Sequence, residues 1–143
     1  DTCALIAVNE LCTKVVELEE EKIINGSTLK IIDYNCKYYG SSYNGRREGS
    51  INILKNSYKI PVIIEESGNI IFFPISSPRY NNTTWISLKN IKSYKKVGKS
   101  TEIIFKNGKI ILLKVSHSSF QNQILRSSYL EVIFSGRKIN KIS

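Results

Sequence analysis

The run TEIIFKNGKIILLKV, residues 101–115, decides the fold class. Asn107-Gly108 is a dipeptide suited to a two-residue hairpin turn, because Asn and Gly tolerate the positive φ that such a turn requires. Strongly apolar segments, TEIIFK and KIILLKV, flank it on both sides. Two adjacent antiparallel strands are therefore expected here, and antiparallel pairing needs no helical crossover.

The same kind of signal recurs upstream. Ile60 to Ile64 and Ile70 to Phe73 flank EESGN, a Gly-containing turn, and Pro61 places the first of them at a sheet edge or a strand start. Trp85 to Leu88 and Ile91 to Lys96 read as two more short strands, and Ile51 and Ile53 alternate with polar neighbours as strand residues do. Toward the N-terminus, Cys3 to Val8, Lys14 to Leu18 and the pair Ile23-Ile24 give three further short strands, with Glu19-Glu20-Glu21 suited to a solvated turn.

Two segments change period. Leu29, Ile32, Cys36 and Tyr39 fall on one face of a helix that Ser27 caps and Gly40 ends. Ser118-x-x-Gln121 has a capping-box pattern, predicting a helix from Ser119 to Phe134. Phe120, Ile124, Ser127 or Ser128, and Val132 or Phe134 would line its buried face. Residues 136–143 read as a frayed basic tail. Strands and helices do not alternate as βαβ units. The expectation is one α+β domain spanning 1–143, mainly antiparallel sheet with two flanking helices.

Net charge is +9, and it is segregated along the chain. Residues 1–33 hold three Lys against seven acidic groups, a balance of −4, while the rest holds 18 basic and five acidic groups, a balance of +13. Such a field attracts polyanions, nucleic acid first and an anionic membrane second. No apolar run nears the ~18 residues of a spanning helix, and the N-terminus lacks a signal-peptide pattern. A soluble cytoplasmic protein is expected, with no membrane partner. The three Cys (Cys3, Cys12, Cys36) are odd in number and irregularly spaced, which fits buried thiols in a reducing compartment rather than disulfides. The chain holds no Met, so its first residue is read as an internal one.

Catalytic chemistry finds little support. The sole His117 has no evident carboxylate partner. No P-loop or G-x-G-x-x-G follows a strand, so no cofactor is expected, and the Cys spacing fits no metal site. The segment that does carry chemistry is CKYYGSSYNGRREGS, residues 36–50. Arg and Lys make charge-assisted bonds to phosphate, Gly and Ser permit close backbone approach to a polyanion, and Tyr offers a flat face or wedge. Read as a loop leaving a helix C-terminus, it nominates Lys37, Ser41, Ser42, Tyr43, Asn44, Gly45, Arg46 and Arg47 as DNA contacts. A solvated Gly-rich loop is the ordinary alternative. Arg79 and Asn81, in the turn-rich PISSPRYNNTT (74–84), are supporting candidates, as are Asn122 and Arg126, which share a face of the last helix. KNIKSYKK (89–96) fits either a nucleic-acid contact or an edge strand defended by Lys.

Four blocks together resemble the ComK family of competence transcription factors: CKYYGSSYNGRREGS (36–50), FFPISSP with WIS (72–78, 85–87), EIIFKNGK (102–109) and SFQNQILRSSYL (119–130). GSSYNGR is the most specific of them. The family pattern has a Cys shortly before the Trp, where this chain has Thr83 and Thr84. The resemblance implies an activator of DNA-uptake genes that binds double-stranded DNA at paired A/T-rich promoter boxes. It implies reading mainly through the minor groove, as dimers that pair on DNA. It also implies contacts with transcription machinery and, in members that extend past the final helix, with a proteolytic adaptor. In that reading Arg46 or Arg47 enters the groove, Lys37, Ser41 and Ser42 hold phosphates, and Tyr43 packs on sugars or acts as a wedge. A module for single-stranded nucleic acid is the alternative.

Overall fold

A computed structural model describes residues 2–67, 69–78 and 82–142, with side chains described as far as Arg137. The order is β1 (Thr2–Asn9), β2 (Cys12–Glu17), β3 (Glu21–Asn25), α1 (Thr28–Tyr38), α2 (Tyr43–Leu54), β4 (Val62–Glu65), β5 (Ile70–Pro74), β6 (Trp85–Ser87), β7 (Ile91–Val97), β8 (Ser100–Phe105), β9 (Ile110–Leu113) and α3 (His117–Ile142). Six strands form one antiparallel sheet in the order β3-β2-β1-β6-β5-β4, and β7-β8-β9 form a second. The α+β expectation holds, with three helices where two were expected.

Alternation along the strands divides the large sheet into two faces. Leu5, Val15, Val62, Ile64, Phe72 and Trp85 point to one face, where Ile32 and Cys36 of α1 cover them. Ala4, Val16, Phe73 and Ile86 point to the other and pack on Ile103, Phe105 and Leu113 of the small sheet and Phe120 of α3. Burial of this apolar area is the main stabilising term, worth about 25 cal/mol per Å². Edge strand β4 follows directly on Pro61, as expected. Its neighbours include α2, whose Ile53 and Leu54 pack with Ile63, Ile71 and Leu130.

Several expectations are corrected. Ile51 and Ile53 lie in α2 and not in a strand, so the basic stretch is a helix over most of its length. The hairpin turn has three residues: Phe105 N–H bonds Lys109 O at 2.8 Å, and only Gly108 of the central residues has positive φ, +90°. Asn107 is held by its side chain instead, donating to Leu18 O at 2.6 Å and accepting from Lys109 N–H at 3.0 Å. The α3 cap is Ser116, whose Oγ accepts from Ser119 N–H at 3.2 Å, so the helix begins ahead of Ser118. It also continues past Phe134 to Ile142. Tyr39, expected on the buried face of α1, is its exposed C-cap residue, and of the pair Val132 or Phe134 it is Phe134 that packs inward while Val132 faces solvent. Thr83 and Thr84 are buried and bonded: Thr84 Oγ1 accepts from Ala7 N–H at 3.1 Å and Thr83 O from Thr28 Oγ1.

Candidate nucleic-acid interface

Helices α1 and α2 meet at a short corner built from Gly40, Ser41 and Ser42. Gly40 has φ +87°, a conformation that ends α1 cheaply only for glycine. Ser42 caps α2, its Oγ accepting from Gly45 N–H at 3.0 Å. The corner is tight at Gly45, where a Cβ would lie 2.9 Å from Ser41 Oγ and 3.3 Å from Ser42 Oγ and would displace these hydroxyls, the second of them the α2 cap. Asp33 of α1 adds a second cap, accepting from Tyr43 N–H at 2.9 Å while its other oxygen holds Lys37 Nζ at 3.0 Å. That backbone bond, and then Lys37, hold the Asp33 carboxyl below its ordinary pKa.

The first two turns of α2 send their side chains in different directions. Tyr43 packs edge-on against Trp85, ring centroids 6.1 Å apart, and burial raises its phenol pKa. Arg46 turns inward; its side chain is 14 % exposed, it bonds Glu66 at 2.8 Å, and its Nε finds no partner among the described residues. It joins α2 to the β4–β5 turn instead of reaching into solvent. Arg47 makes one long bond to Ser57 O, 3.3 Å, and lies against the Tyr43 phenol. Burial between α1 and the large sheet pushes the Cys36 thiol up to about 11, so Cys36 is an inert core group.

The segment 55–60 completes the surface. Lys55 and Lys59 adopt positive φ, 57° and 47°, a costly conformation for residues with a Cβ. Their surroundings hold the segment: Arg126 donates to Tyr58 O at 2.7 Å and Lys59 O at 3.2 Å, and Gln123 donates to Lys59 O at 2.9 Å and Pro74 O at 2.7 Å. Arg126 thereby spends its donors on backbone carbonyls. Tyr58 stands exposed, with Lys59 Nζ 5.2 Å from its ring centroid. A groove of about 560 Å³ runs beside Tyr43, Asn44, Arg47, Lys59, Ser77 and Pro78. Tyr58 and Lys59 also line its neighbour of about 450 Å³, which reaches Asn122 and Arg126.

The groove consists of two adjoining pockets that share Tyr58 and Lys59: the first gathers Tyr43, Asn44 and Arg47 from the sequence-derived set, the second Asn122 and Arg126. Ser41, Ser42 and Gly45 shape its corner. Lys37 is exposed on α1 and paired with Asp33, and it does not line the groove. Arg79 and Asn81 lie outside the described residues. Sequence reasoning missed Lys55, Tyr58 and Lys59. Their signal was KNSYK (55–59), basic and aromatic residues interleaved before the apolar run of β4. No group of three or more His, Cys, Asp and Glu among the described residues is placed to hold a metal. No described helix is long and apolar enough to cross a membrane.

A family model described as ComK protein matches residues 1–139. The chain belongs to the ComK family. A curated relative, the competence transcription factor of Bacillus subtilis (strain 168), is 35% identical over 129 residues, covering 90% of this chain and 67% of the relative. No solved structure matches. In ComK terms, the GSSYNGR block is the α1–α2 corner with the first turn of α2. SFQNQILR is the first part of α3, whose Gln123 and Arg126 hold the segment carrying Tyr58 and Lys59.

Proposed function

We propose that this chain is a transcription activator of competence genes that binds double-stranded DNA, reading A/T-rich boxes mainly through the minor groove. The observation that carries the reading is the groove in which the N-terminus of α2, Arg47, Tyr58 and Lys59 converge. The N–H groups of Tyr43 and Gly45 are spent on Asp33 and Ser42, so the side chains carry the contact, and an Arg beside an exposed Tyr and Lys suits the deepened negative potential of a narrow A-tract groove. Arg47 is the residue proposed to enter the groove, with Asn44, Ser41, Ser42, Lys37 and Lys59 toward phosphates and Tyr58 against sugars. Arg46 acts by holding α2 through Glu66. Asn122 extends the contact from the second pocket, and Arg79 and Asn81 are further proposed contacts. Charge placement agrees: β3, with Glu21 beside Lys14 and Lys109, is the opposite edge of the large sheet from β4 and α2. Two copies pair on neighbouring boxes, and the activator acts at the nucleoid, where it meets the transcription machinery.

With about six phosphates neutralised per protomer, log affinity falls against log salt with a slope of about −5. A nearly flat slope measured by fluorescence anisotropy ends this reading. Replacing A·T by inosine·C pairs keeps the minor-groove groups and changes the major groove. Unchanged affinity is expected; a large loss transfers the readout to the exposed side of α3. Arg47→Ala should lower affinity for A/T boxes by about 1–3 kcal/mol with selectivity relaxed. The exposed Tyr58, with a cation on its ring, also suits base stacking, so a second reading is a single-strand binding module. Competition of duplex against single strands in one titration separates the two.

A further inference from the structure

Helix α3 buries Phe120, Gln123, Ser127 and Leu130 on one side. Diametrically opposite, Leu125, Tyr129 and Val132 are 61%, 54% and 67% exposed. At 100° per residue these three fall within an arc of about 60°. Large apolar side chains gathered in this way on a solvent face mark a docking surface.

Charge selects the occupant. Between Ser118 and Gly136 the helix carries only Arg126 and Glu131, in a chain of net charge +9. Both lie off the stripe, and Arg126 is bonded to the carbonyls of Tyr58 and Lys59. Two copies related by a two-fold axis present the same surface to each other, so like charges at the axis oppose pairing. Other exposed apolar side chains stand among charges: Ile110 and Leu112 with Lys114 and the Lys95–Glu102 pair, Ile23 with Glu21 and Lys22 on β3, Leu11 beside Glu10, and Tyr34 and Tyr38 beside Lys30 and Lys37 on α1. The α3 stripe brings none. It also lies beside Asn122 at the end of the DNA groove, so pairing there sets two grooves side by side.

We infer that Leu125, Tyr129 and Val132 form the surface on which two copies of this chain pair, α3 against α3. The inference deepens the proposed pairing on DNA and rests on it. The test uses the double variant Leu125→Glu with Val132→Glu, at positions exposed enough to leave the fold intact, which circular dichroism and thermal melting verify. A conservative control is Leu125→Met. Sedimentation velocity, without DNA and with duplexes holding one or two A/T boxes, reads the pairing.

Expected are a wild type and control that pair, and a double variant that stays monomeric, binds a one-box duplex within twofold of wild type and loses cooperative occupancy of two boxes. A double variant that pairs as wild type does overturns the α3 assignment alone. A wild type that is monomeric throughout and fills two boxes independently overturns the pairing reading and this inference with it. A double variant that pairs normally on DNA but fails to activate transcription in vitro gives the stripe to the transcription machinery and overturns a second copy as its occupant.

Discussion

In the β8–β9 hairpin, Ile103 and Phe105 are wholly buried, and the turn is closed within three residues by Gly108. Helix α2, by contrast, carries Gly45 and Gly49 among 12 residues, and Ser50 is its only buried residue. The hairpin supplies its own pattern and its own turn residue, and its buried side chains enter the core shared with the large sheet and Phe120. The helix is held from outside, by Asp33 from α1, Glu66 from the β4–β5 turn and the packing of Ile53 and Leu54 against α3 and the sheet. The element that frames the groove proposed for DNA thus has little stability of its own. Glycine at position 45 lets the corner close tightly, and each interior glycine costs about 1 kcal/mol of helix propensity relative to Ala.

Phe105→Ala strikes the hairpin and should cost about 3–5 kcal/mol. Urea denaturation should report this as a lower midpoint for the whole domain. A melt confined to the small sheet would mean that the two sheets do not share one core. Ser42→Ala removes a cap from the region held from outside, at about 1 kcal/mol. Its loss of DNA affinity should exceed what its modest loss of stability explains, because α2 then frays at the groove. Equal small effects on both would detach the groove from the cap.

Two glycine substitutions sharpen the contrast further. Gly108→Ala forces a Cβ into φ +90° and should destabilise by about 1 kcal/mol or more. Gly49→Ala meets open space in a helical conformation and should stabilise by up to about 1 kcal/mol. If thermal melting shows Gly49→Ala to be destabilising, α2 is under a constraint other than propensity.

The smallest effect is one of pH. The Asp33 carboxyl has a folded pKa below its unfolded value of about 3.9. Its contribution is therefore fully present above that value and is lost as pH falls through the lower folded pKa. Asp33→Asn should flatten the acid limb of the stability curve relative to wild type. An unchanged limb would remove Asp33 from the capping of α2.

Much of the fold was legible. Val15 and Val16, Phe72 and Phe73, and Trp85 and Ile86 each send neighbouring side chains to opposite faces, and period two in the sequence carries that information directly. The basic stretch was legible as chemistry but not as structure. Its three glycines, its Asn and its Ser pair weaken every local helix signal, and the Ile51/Ile53 alternation mimics a strand. The caps that favour α2 come from Asp33 and Ser42, and only folding brings Asp33 against Tyr43 N–H. Arg46 and Arg47 are adjacent and chemically identical in sequence. One faces Glu66 and the other the groove, because successive residues on a helix point about 100° apart.

Composition, charge segregation and strand alternation, all local properties, determined that this is a basic antiparallel α+β domain and where its core residues sit. Which arginine faces the groove was decided when α2 docked with Arg46 on Glu66, and that Tyr58 and Lys59 join it was decided only when Gln123 and Arg126 of α3 bonded the 55–60 segment. Those contacts join residues more than sixty positions apart, and no periodicity along the chain encodes a hydrogen bond across it.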